Sequence, residues 1–188
     1  MKRGALSREI VLEKALEIAM KEGLSQLTYN GLAREIGVVP QSLYRYVTNL
    51  DDVRSSIIAR YVRQLLVYLA EETRELTGKE AVIRFGTGFL EFAKNTISFS
   101  DMAWGFATYA NNPLVELAIF DLRSLGSDLI SNITDNKVKE NTMFLIEYII
   151  GHLGMISFHQ GKTEDLFGEN LARLVEFMLC ETGKTDKS

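Results

Sequence analysis

The stretch YNGLAREIGVVPQSLYRYVT, residues 29–48, decides the fold because its small and apolar residues stand where two short crossed helices need them. Ala33 is small enough for a second helix to pack closely, and Gly37 can take the positive φ of a tight turn. The apolar residues predicted beneath both helices are Leu32, Ile36, Val38, Leu43 and Val47. The pattern predicts a helix-turn-helix, whose second helix lies in the major groove of DNA.

The sequence on either side of this stretch carries the signals of helix ends. Residues 7–22 have apolar positions at three- and four-residue spacing, which predicts an amphipathic helix that Ser7 caps and Gly23 closes. Signals of the same kind predict the starts of the next three helices at Thr28, Pro40 and Asn49. Three short helices followed by a longer one are therefore expected.

These residues together resemble the tetracycline-repressor-type (TetR/AcrR-type) transcriptional regulators. The resemblance covers about the first third of the chain and rests on the order Leu27-Thr28, Leu32-Ala33, Ile36-Gly37-Val38, Leu43-Tyr44 and Asn49. It implies an N-terminal three-helix DNA-binding domain at residues 1–49 and a C-terminal helical regulatory and dimerisation domain at residues 50–188. Beyond the first third, the resemblance rests on length and helical pattern.

Composition agrees with an all-α protein of about nine helices. The 188 residues are 46% hydrophobic, contain two prolines, and nowhere sustain the alternation typical of a strand. The single cysteine, Cys180, excludes an internal disulfide and fits a reducing compartment. No signal peptide opens the sequence, and Glu147 and His152 interrupt its most apolar stretch, Met143 to Phe158. We therefore expect a soluble cytoplasmic protein with no membrane partner.

Charge is distributed unevenly along a chain whose net charge is −4. Residues 1–63 carry ten Lys and Arg against seven Asp and Glu, whereas residues 64–188 carry eleven against eighteen. The basic end is the one expected to face DNA, and its binding should weaken steeply with salt. The cations expected to contribute are Lys2, Arg3, Arg8, Arg34 and Arg45.

The exposed positions around the second helix are expected to determine what is recognised. Gln41 can read adenine through paired hydrogen bonds, and Arg45 can read guanine or bind a phosphate. The resemblance implies that Tyr44, Tyr46, Thr28 and Tyr29 contact the phosphate backbone, although Tyr44 and Tyr46 could instead pack against the first helix and Arg45 could be solvated. The full set of candidate DNA-binding residues is Thr28, Tyr29, Arg34, Val39, Pro40, Gln41, Ser42, Tyr44, Arg45, Tyr46 and Asn49.

The sequence departs from the family pattern after Asn49. Many relatives place a lysine there that meets a phosphate, whereas this chain has Leu50 followed by Asp51 and Asp52. Acidic residues at a helix N-terminus stabilise the helix but repel a nearby phosphate. Val39 also stands where relatives often carry a small polar residue, so base preference cannot be transferred from them.

The rest of the chain reads as six further helices, predicted at residues 50–76, 79–95, 101–110, 114–133, 138–160 and 164–181. The last two are apolar on more than one face, which indicates a second buried surface. The resemblance implies that these two helices pair with their copies in a homodimer that binds a palindromic site, with burial in the chain's own core as the alternative. The candidate interface residues are Phe144, Tyr148, His152, Met155, Leu171, Leu174, Phe177 and Met178.

Aromatic residues concentrate between positions 85 and 120, with glycines beside them. They predict either an apolar pocket for a small-molecule effector or a well-packed core. The candidate ligand-binding residues are Phe85, Phe89, Phe92, Trp104, Phe106, Tyr109 and Phe120. A cavity of several hundred Å³ beside Trp104 and Phe89 would favour the pocket.

No set of residues with catalytic or metal-ligand spacing appears, so neither an enzyme nor a cofactor is predicted. His152, His159 and Cys180 lack a fourth ligand, and no metal site is expected. The prediction is a ligand-responsive DNA-binding transcriptional regulator, most simply a repressor released from a palindromic operator by an apolar or amphipathic effector. The alternative is a ligand-independent architectural or cell-cycle DNA-binding protein of the same fold. The sequence leaves repression and activation open.

Overall fold

A computed structural model describes residues 6–96, 99–135, 137–159 and 166–180. Within those ranges the chain forms nine α-helices, one short 3₁₀ helix and no strand, so the predicted all-α class is confirmed. The helices are α1 (Arg8–Glu22), α2 (Tyr29–Ile36), α3 (Pro40–Leu43), α4 (Leu50–Thr73), α5 (Gly78–Lys94), α6 (Phe99–Tyr109), α7 (Pro113–Ser131), α8 (Val138–His159) and α9 (Phe167–Cys180). The 3₁₀ helix, Leu24–Gln26, follows α1. Lys2 and Arg3 lie outside the described residues.

The predicted helix ends are confirmed where side chains cap them. Ser7 accepts a hydrogen bond from the amide of Ile10, and Asn49 Oδ1 accepts one from the amide of Asp52. α4 ends at Thr73, three residues before the predicted end, where the chain tightens into i+3 turns: the amide of Arg74 bonds to the Glu71 carbonyl and that of Leu76 to the Thr73 carbonyl. Gly78, with φ 60°, begins α5 rather than closing α4.

The chain divides into two compact units. The first comprises the chain up to Val62 together with Thr96–Ala118, and the second comprises Arg63–Asn95 and the chain from Ile119. α4 contributes to both units, since it begins at Leu50 and ends at Thr73. The expected division into residues 1–49 and 50–188 stays a prediction.

The core of the first unit is built from one apolar face of α1, the helix-turn-helix and the start of α4. Its side chains include Val11, Ala15, Leu24, Leu27, Leu32, Leu43, Val53, Ile57 and Ile58, each at most 1% exposed. Each such aliphatic side chain larger than alanine stabilises the fold by about 1.5–3 kcal/mol on burial. α6 packs closely on this core because Gly105 has no side chain: a Cβ there would lie 2.8 Å from Ile58 and 2.9 Å from Leu24.

The core of the second unit joins α5, α8 and α9 to the later part of α4. Its fully buried side chains include Leu69, Val82, Phe85, Ile130, Leu145, Ile149, Phe167, Leu171 and Val175. α5 and α9 approach closely at Gly86, where a Cβ would lie 2.6 Å from Leu171. At the surface Arg84 of α5 binds the carboxylates of Glu72 and Glu91, and this arrangement ties α5 to α4.

Candidate nucleic-acid interface

The turn between α2 and α3 has the conformation that the sequence predicts. Thr28 caps α2 through a 3.0 Å hydrogen bond that its Oγ1 accepts from the amide of Gly31. Gly37 ends α2 in the left-handed region, at φ 80° and ψ 36°, and its amide donates to the carbonyls of Ala33 and Arg34. Only glycine adopts this backbone without strain. The glycine therefore lets the chain turn sharply between the end of α2 and the start of α3 at Pro40.

α3 is shorter than the sequence suggests. Val39 is its N-cap residue, Pro40 occupies its first turn, and the α-helix ends at Leu43, which is fully buried. Arg45 and Tyr46 follow it in a helical turn. There the amides of Tyr46 and Val47 both bond to the Leu43 carbonyl.

Several of the candidate DNA-binding residues around α3 are exposed to solvent. Val39 is 62% exposed and Tyr44 is 63% exposed, while Gln41 and Arg45 are also exposed. Pro40, Ser42 and Tyr46 are half-buried. The surface around α3 thus offers an amide, a guanidinium, an aromatic ring and an apolar side chain to whatever covers it.

Tyr29 and Tyr44 form a stacked pair with ring centroids 4.9 Å apart. The Tyr29 hydroxyl donates to the Val47 carbonyl at 3.3 Å, and burial, followed by the nearby Tyr44, raises the pKa of Tyr29. Its proton is therefore already used within the chain. The stack holds the exposed Tyr44 ring in place.

Two candidate DNA-binding residues, Thr28 and Asn49, also cap helices. Each uses one acceptor oxygen for its cap, at 3.0 Å for Thr28 and 2.8 Å for Asn49. Both side chains are exposed, and the Thr28 hydroxyl proton and the Asn49 amide protons remain available as donors. The caps fix the positions of these donors at the starts of α2 and α4.

The structure separates structural arginines from exposed cations in the described part of the first unit. Arg8 binds Asp52, Arg60 binds Glu9, and Arg54 donates to the Leu27 carbonyl while lying 5.4 Å from the centroid of the Trp104 ring. The other two arginines there, Arg34 and Arg45, are exposed and form no ion pair among the described residues. They are the arginines best placed to meet an anion.

Both aspartates at the start of α4, Asp51 and Asp52, accept hydrogen bonds within the first unit. Asp52 accepts hydrogen bonds from Arg8 and from the amide of Thr48, and Asp51 accepts one from the Tyr109 hydroxyl at 2.6 Å. The Arg8 guanidinium, with help from the Thr48 amide, lowers the pKa of Asp52 to about 2. The ion pair with Arg8 neutralises part of the negative charge that the sequence places beside the DNA-facing end. Sequence reasoning missed this pair, because 44 positions separate its members.

The candidate ligand-binding residues are divided between the units. Trp104, 41% exposed, lies in the first unit with the half-buried Phe106 and the buried Tyr109. In the second unit Phe85 is fully buried, Phe89 and Phe92 are half-buried, and Phe120 is 64% exposed. Their common pocket stays a prediction.

An open groove of about 460 Å³ lies in the first unit, at the start of α4 and the turn between α6 and α7. Its lining is mixed in polarity, and Tyr109 is the member that was predicted to bind a ligand. The lining residues include Asp51, Ser55, Tyr109, Asn112, Pro113 and Leu114.

The candidate interface residues fall into two groups. Phe144, Met155 and Phe177 are exposed by 55%, 45% and 58%. Leu171 and Met178 are buried within the second unit, as expected for residues of the chain's own core. The remaining three, Tyr148, His152 and Leu174, are half-buried. Tyr148 and His152 form an aromatic cluster with Phe167, whose carbonyl accepts the Tyr148 hydroxyl.

The described residues hold neither a cluster of metal-ligating side chains nor a helix that could span a membrane. No group of three or more His, Cys, Asp or Glu side chains there is arranged to hold a metal ion. The side chain of His159 lies outside the described part. No helix in the described ranges combines the length and apolar content that crossing a bilayer requires.

Comparison with curated proteins finds relatives over half of the chain, while no family model matches. The chain is 26% identical over 91 residues to YobS, an uncharacterised HTH-type transcriptional regulator of Bacillus subtilis, with 48% of each chain covered. It is 31% identical over 88 residues to an uncharacterised HTH-type transcriptional regulator of Mycobacterium tuberculosis, covering 47% of this chain and 40% of the relative. The match thus spans about half the length of these relatives.

Solved structures match almost the whole chain. A TetR-family transcriptional regulator from Streptomyces coelicolor superposes with a TM-score of 0.67 at 15% identity, covering 94% of this chain and 96% of its own. FadR from Bacillus subtilis, in complex with stearoyl-CoA, gives 0.66 at 14% identity, covering 90% and 96%. BioQ, bound to its natural double-stranded DNA operator, gives 0.64 at 18% identity, covering 93% and 99%. The chain therefore has the fold of the TetR-family transcriptional regulators, which confirms the resemblance at the level of the fold.

Proposed function

We propose that the protein is a DNA-binding transcriptional regulator that reads the major groove with α3. The observation that carries the proposal is the helix-turn-helix with an exposed outer surface: Gln41 and Arg45 are exposed, and Arg45 forms no ion pair with any described residue. Gln41 would read adenine and Arg45 guanine, or Arg45 would bind a phosphate. The helix-turn-helix regulators among its relatives support this proposal.

The regulator would act as a homodimer on a palindromic operator. Phe144, Met155 and Phe177 supply the exposed apolar surface that a symmetric interface on α8 and α9 requires. Two copies of α3 would then enter successive major grooves, about 34 Å apart. Repression is the simplest outcome, because a dimer bound across a promoter blocks access to it.

An apolar or amphipathic effector is proposed to release the DNA by changing the separation of the two DNA-binding heads. FadR, which shares the fold, holds stearoyl-CoA, and this supports a ligand-binding role for the aromatic side chains of the regulatory domain. The ligand-independent alternative has its own support. Phe85 is fully buried, and its ring lies at van der Waals distance from the position that a Cβ on Gly126 would occupy, as expected for a filled core.

The test is a mobility-shift titration of the purified full chain against DNA that flanks its own gene, at two salt concentrations. Arg45→Ala removes the proposed base or phosphate contact. Arg63→Ala is the matched control, since Arg63 is an exposed arginine of the second unit. We expect salt-sensitive binding to one palindromic fragment, weakened by Arg45→Ala about tenfold or more per half-site and unchanged by Arg63→Ala.

Equal weak binding to every fragment, or equal effects of the two arginine variants, would overturn the proposal that the protein binds a specific DNA sequence through α3. Once the operator is known, long-chain acyl compounds are tested for release of the protein from it. Release by an apolar compound supports the effector, and full operator binding in the presence of every compound supports the ligand-independent alternative.

A further inference from the structure

The two terminal nitrogens of the Arg8 guanidinium, at the first turn of α1, form four hydrogen bonds within the first unit. Nη1 donates to the Tyr46 carbonyl at 3.0 Å and to Asp52 Oδ2 at 2.9 Å. Nη2 donates to Asp52 Oδ1 at 2.7 Å and to the Ser56 hydroxyl at 2.9 Å. The two terminal nitrogens carry four N–H groups, and each has an acceptor. Arg8 would have to break a bond to offer either nitrogen to a phosphate.

The partners of Arg8 surround the segment Tyr46–Asn49, which connects α3 to α4. Arg8 holds the Tyr46 carbonyl, and the Tyr29 hydroxyl holds the carbonyl of Val47. Asp52, itself bound to Arg8, accepts the Thr48 amide at 2.8 Å. Three consecutive residues are therefore fixed at backbone atoms by side chains from three different helices.

We infer that Arg8 is a positioning residue, which holds Tyr46–Asn49 in the geometry that DNA binding requires and does not itself contact DNA. The inference deepens the proposed function and rests on it. The sequence suggested an electrostatic role for this cation, but the hydrogen bonds assign it a geometric one. We call the four hydrogen bonds of the Arg8 terminal nitrogens the clamp. A preorganised segment avoids the entropic cost of ordering at the moment of binding, so loss of the clamp should weaken DNA binding even when the charge is kept.

Arg8→Lys separates the two roles because lysine keeps the charge and cannot form the two-pronged pair with a carboxylate. A positioning role predicts that Arg8→Lys lowers operator affinity about tenfold, the value of a hydrogen bond to a charged group. The slope of log affinity against log salt should stay that of the wild type. Arg60→Lys is the matched control, since Arg60 joins α4 to Glu9 of α1 at 2.5 Å but touches no part of the segment.

Affinities are measured on the operator at several salt concentrations and corrected for the folded fraction from denaturant unfolding. Amide hydrogen exchange of Thr48 gives a readout that needs no DNA, and Arg8→Lys should speed it while Arg60→Lys leaves it unchanged. If Arg8→Lys does not fold, Ser56→Ala removes a single partner of the clamp and should weaken binding about threefold, less than loss of a full charged hydrogen bond.

Wild-type affinity in Arg8→Lys, or in Ser56→Ala where that variant carries the test, would overturn the inference. So would a salt slope in an Arg8→Met variant that is shallower by about 0.9 for each Arg8, because that change marks a lost phosphate contact. If the wild type binds no DNA fragment, the proposed function fails and the inference about DNA binding fails with it. Thr48 exchange then still reports whether the clamp orders the segment.

Discussion

The surface around α3 and the surface of α8 and α9 are both left open by the chain, but they differ in chemistry. Around α3 the exposed residues include the cations Arg34 and Arg45 and the amide of Gln41. On α8 and α9 the exposed residues include large apolar side chains, among them Phe144 and Phe177. A polyanion fits the first surface, and a second apolar surface fits the other.

The two regions also differ in how their backbone is held. In the DNA-binding end, side chains bond to backbone atoms one by one, as Arg8 does at Tyr46 and Tyr29 at Val47. In the second unit the closest helix contact, at Gly86 and Leu171, is apolar, and polar bonds such as that of Arg84 to Glu72 lie beside such contacts. The segment that follows α3 is distinguished by specific polar bonds at three successive backbone positions.

The largest effect is expected from a charge placed on the apolar surface. Phe177→Glu should convert the proposed dimer to monomer, because each of two symmetric copies loses an aromatic contact and buries a carboxylate. Aromatic anchors contribute about 2 kcal/mol or more each, so the dimer dissociation constant should rise about a thousandfold. Sedimentation velocity over a concentration series measures it.

Val67→Glu is the matched control, since Val67 is 69% exposed on α4 and was not predicted to lie at the interface. We expect Val67→Glu to leave the dimer intact. If both variants remain dimeric, α9 is not the interface, and if both dissociate, the proposed interface on α8 and α9 is incomplete.

A medium effect is expected from glycine replacements that contrast the two regions. Gly37→Ala forces an alanine into the left-handed conformation that ends α2 and should destabilise the protein by about 1–2 kcal/mol. Gly168→Ala, in α9, meets nothing within 4 Å and should stabilise by about 0.5 kcal/mol. Urea unfolding of both variants measures the difference. Equal effects would mean that the turn at Gly37 tolerates a side chain.

Local signals explain why so much of the DNA-binding end could be predicted. A cap such as Thr28, a turn glycine such as Gly37 and a first-turn proline such as Pro40 act within a few residues. Their chemistry is therefore visible in a short stretch of sequence. The structure bears out all three signals. The end of α3 at Leu43 could not be predicted in this way, because the residues from Tyr44 onwards continue in a helical turn.

Long-range pairs explain what the sequence could not predict. Arg8 looked like a free cation because nothing near it in sequence indicates a bond to Asp52. The same holds for Tyr109, whose spacing suggested an apolar pocket but whose hydroxyl binds Asp51. The helical spacing of apolar residues identifies an apolar face but does not show what covers it. The predicted ligand-binding roles of Phe85 and Phe120 therefore stay predictions.

The smallest effect is a pH dependence of the Arg8–Asp52 pair. The pKa of Asp52 is lowered to about 2 from 3.8, so the pair stabilises the folded state above pH 4, and this contribution is lost as the pH falls from about 4 to 2. Because both side chains are partly exposed, we expect only about 1 kcal/mol.

The free energy of unfolding is measured for the wild type and Arg8→Met from pH 6 to pH 2, with Arg60→Met as the control for loss of another pair between α1 and α4. The difference between wild type and Arg8→Met should hold from pH 6 to pH 5 and shrink by about 1 kcal/mol near pH 2, which leaves the part due to the Tyr46 carbonyl and the Ser56 hydroxyl, since these do not titrate. A difference that does not shrink by pH 2 would place the whole stabilising effect at those two neutral acceptors. In that case the clamp would hold the segment through neutral acceptors, and the DNA-binding end would owe its rigidity to hydrogen-bond geometry alone.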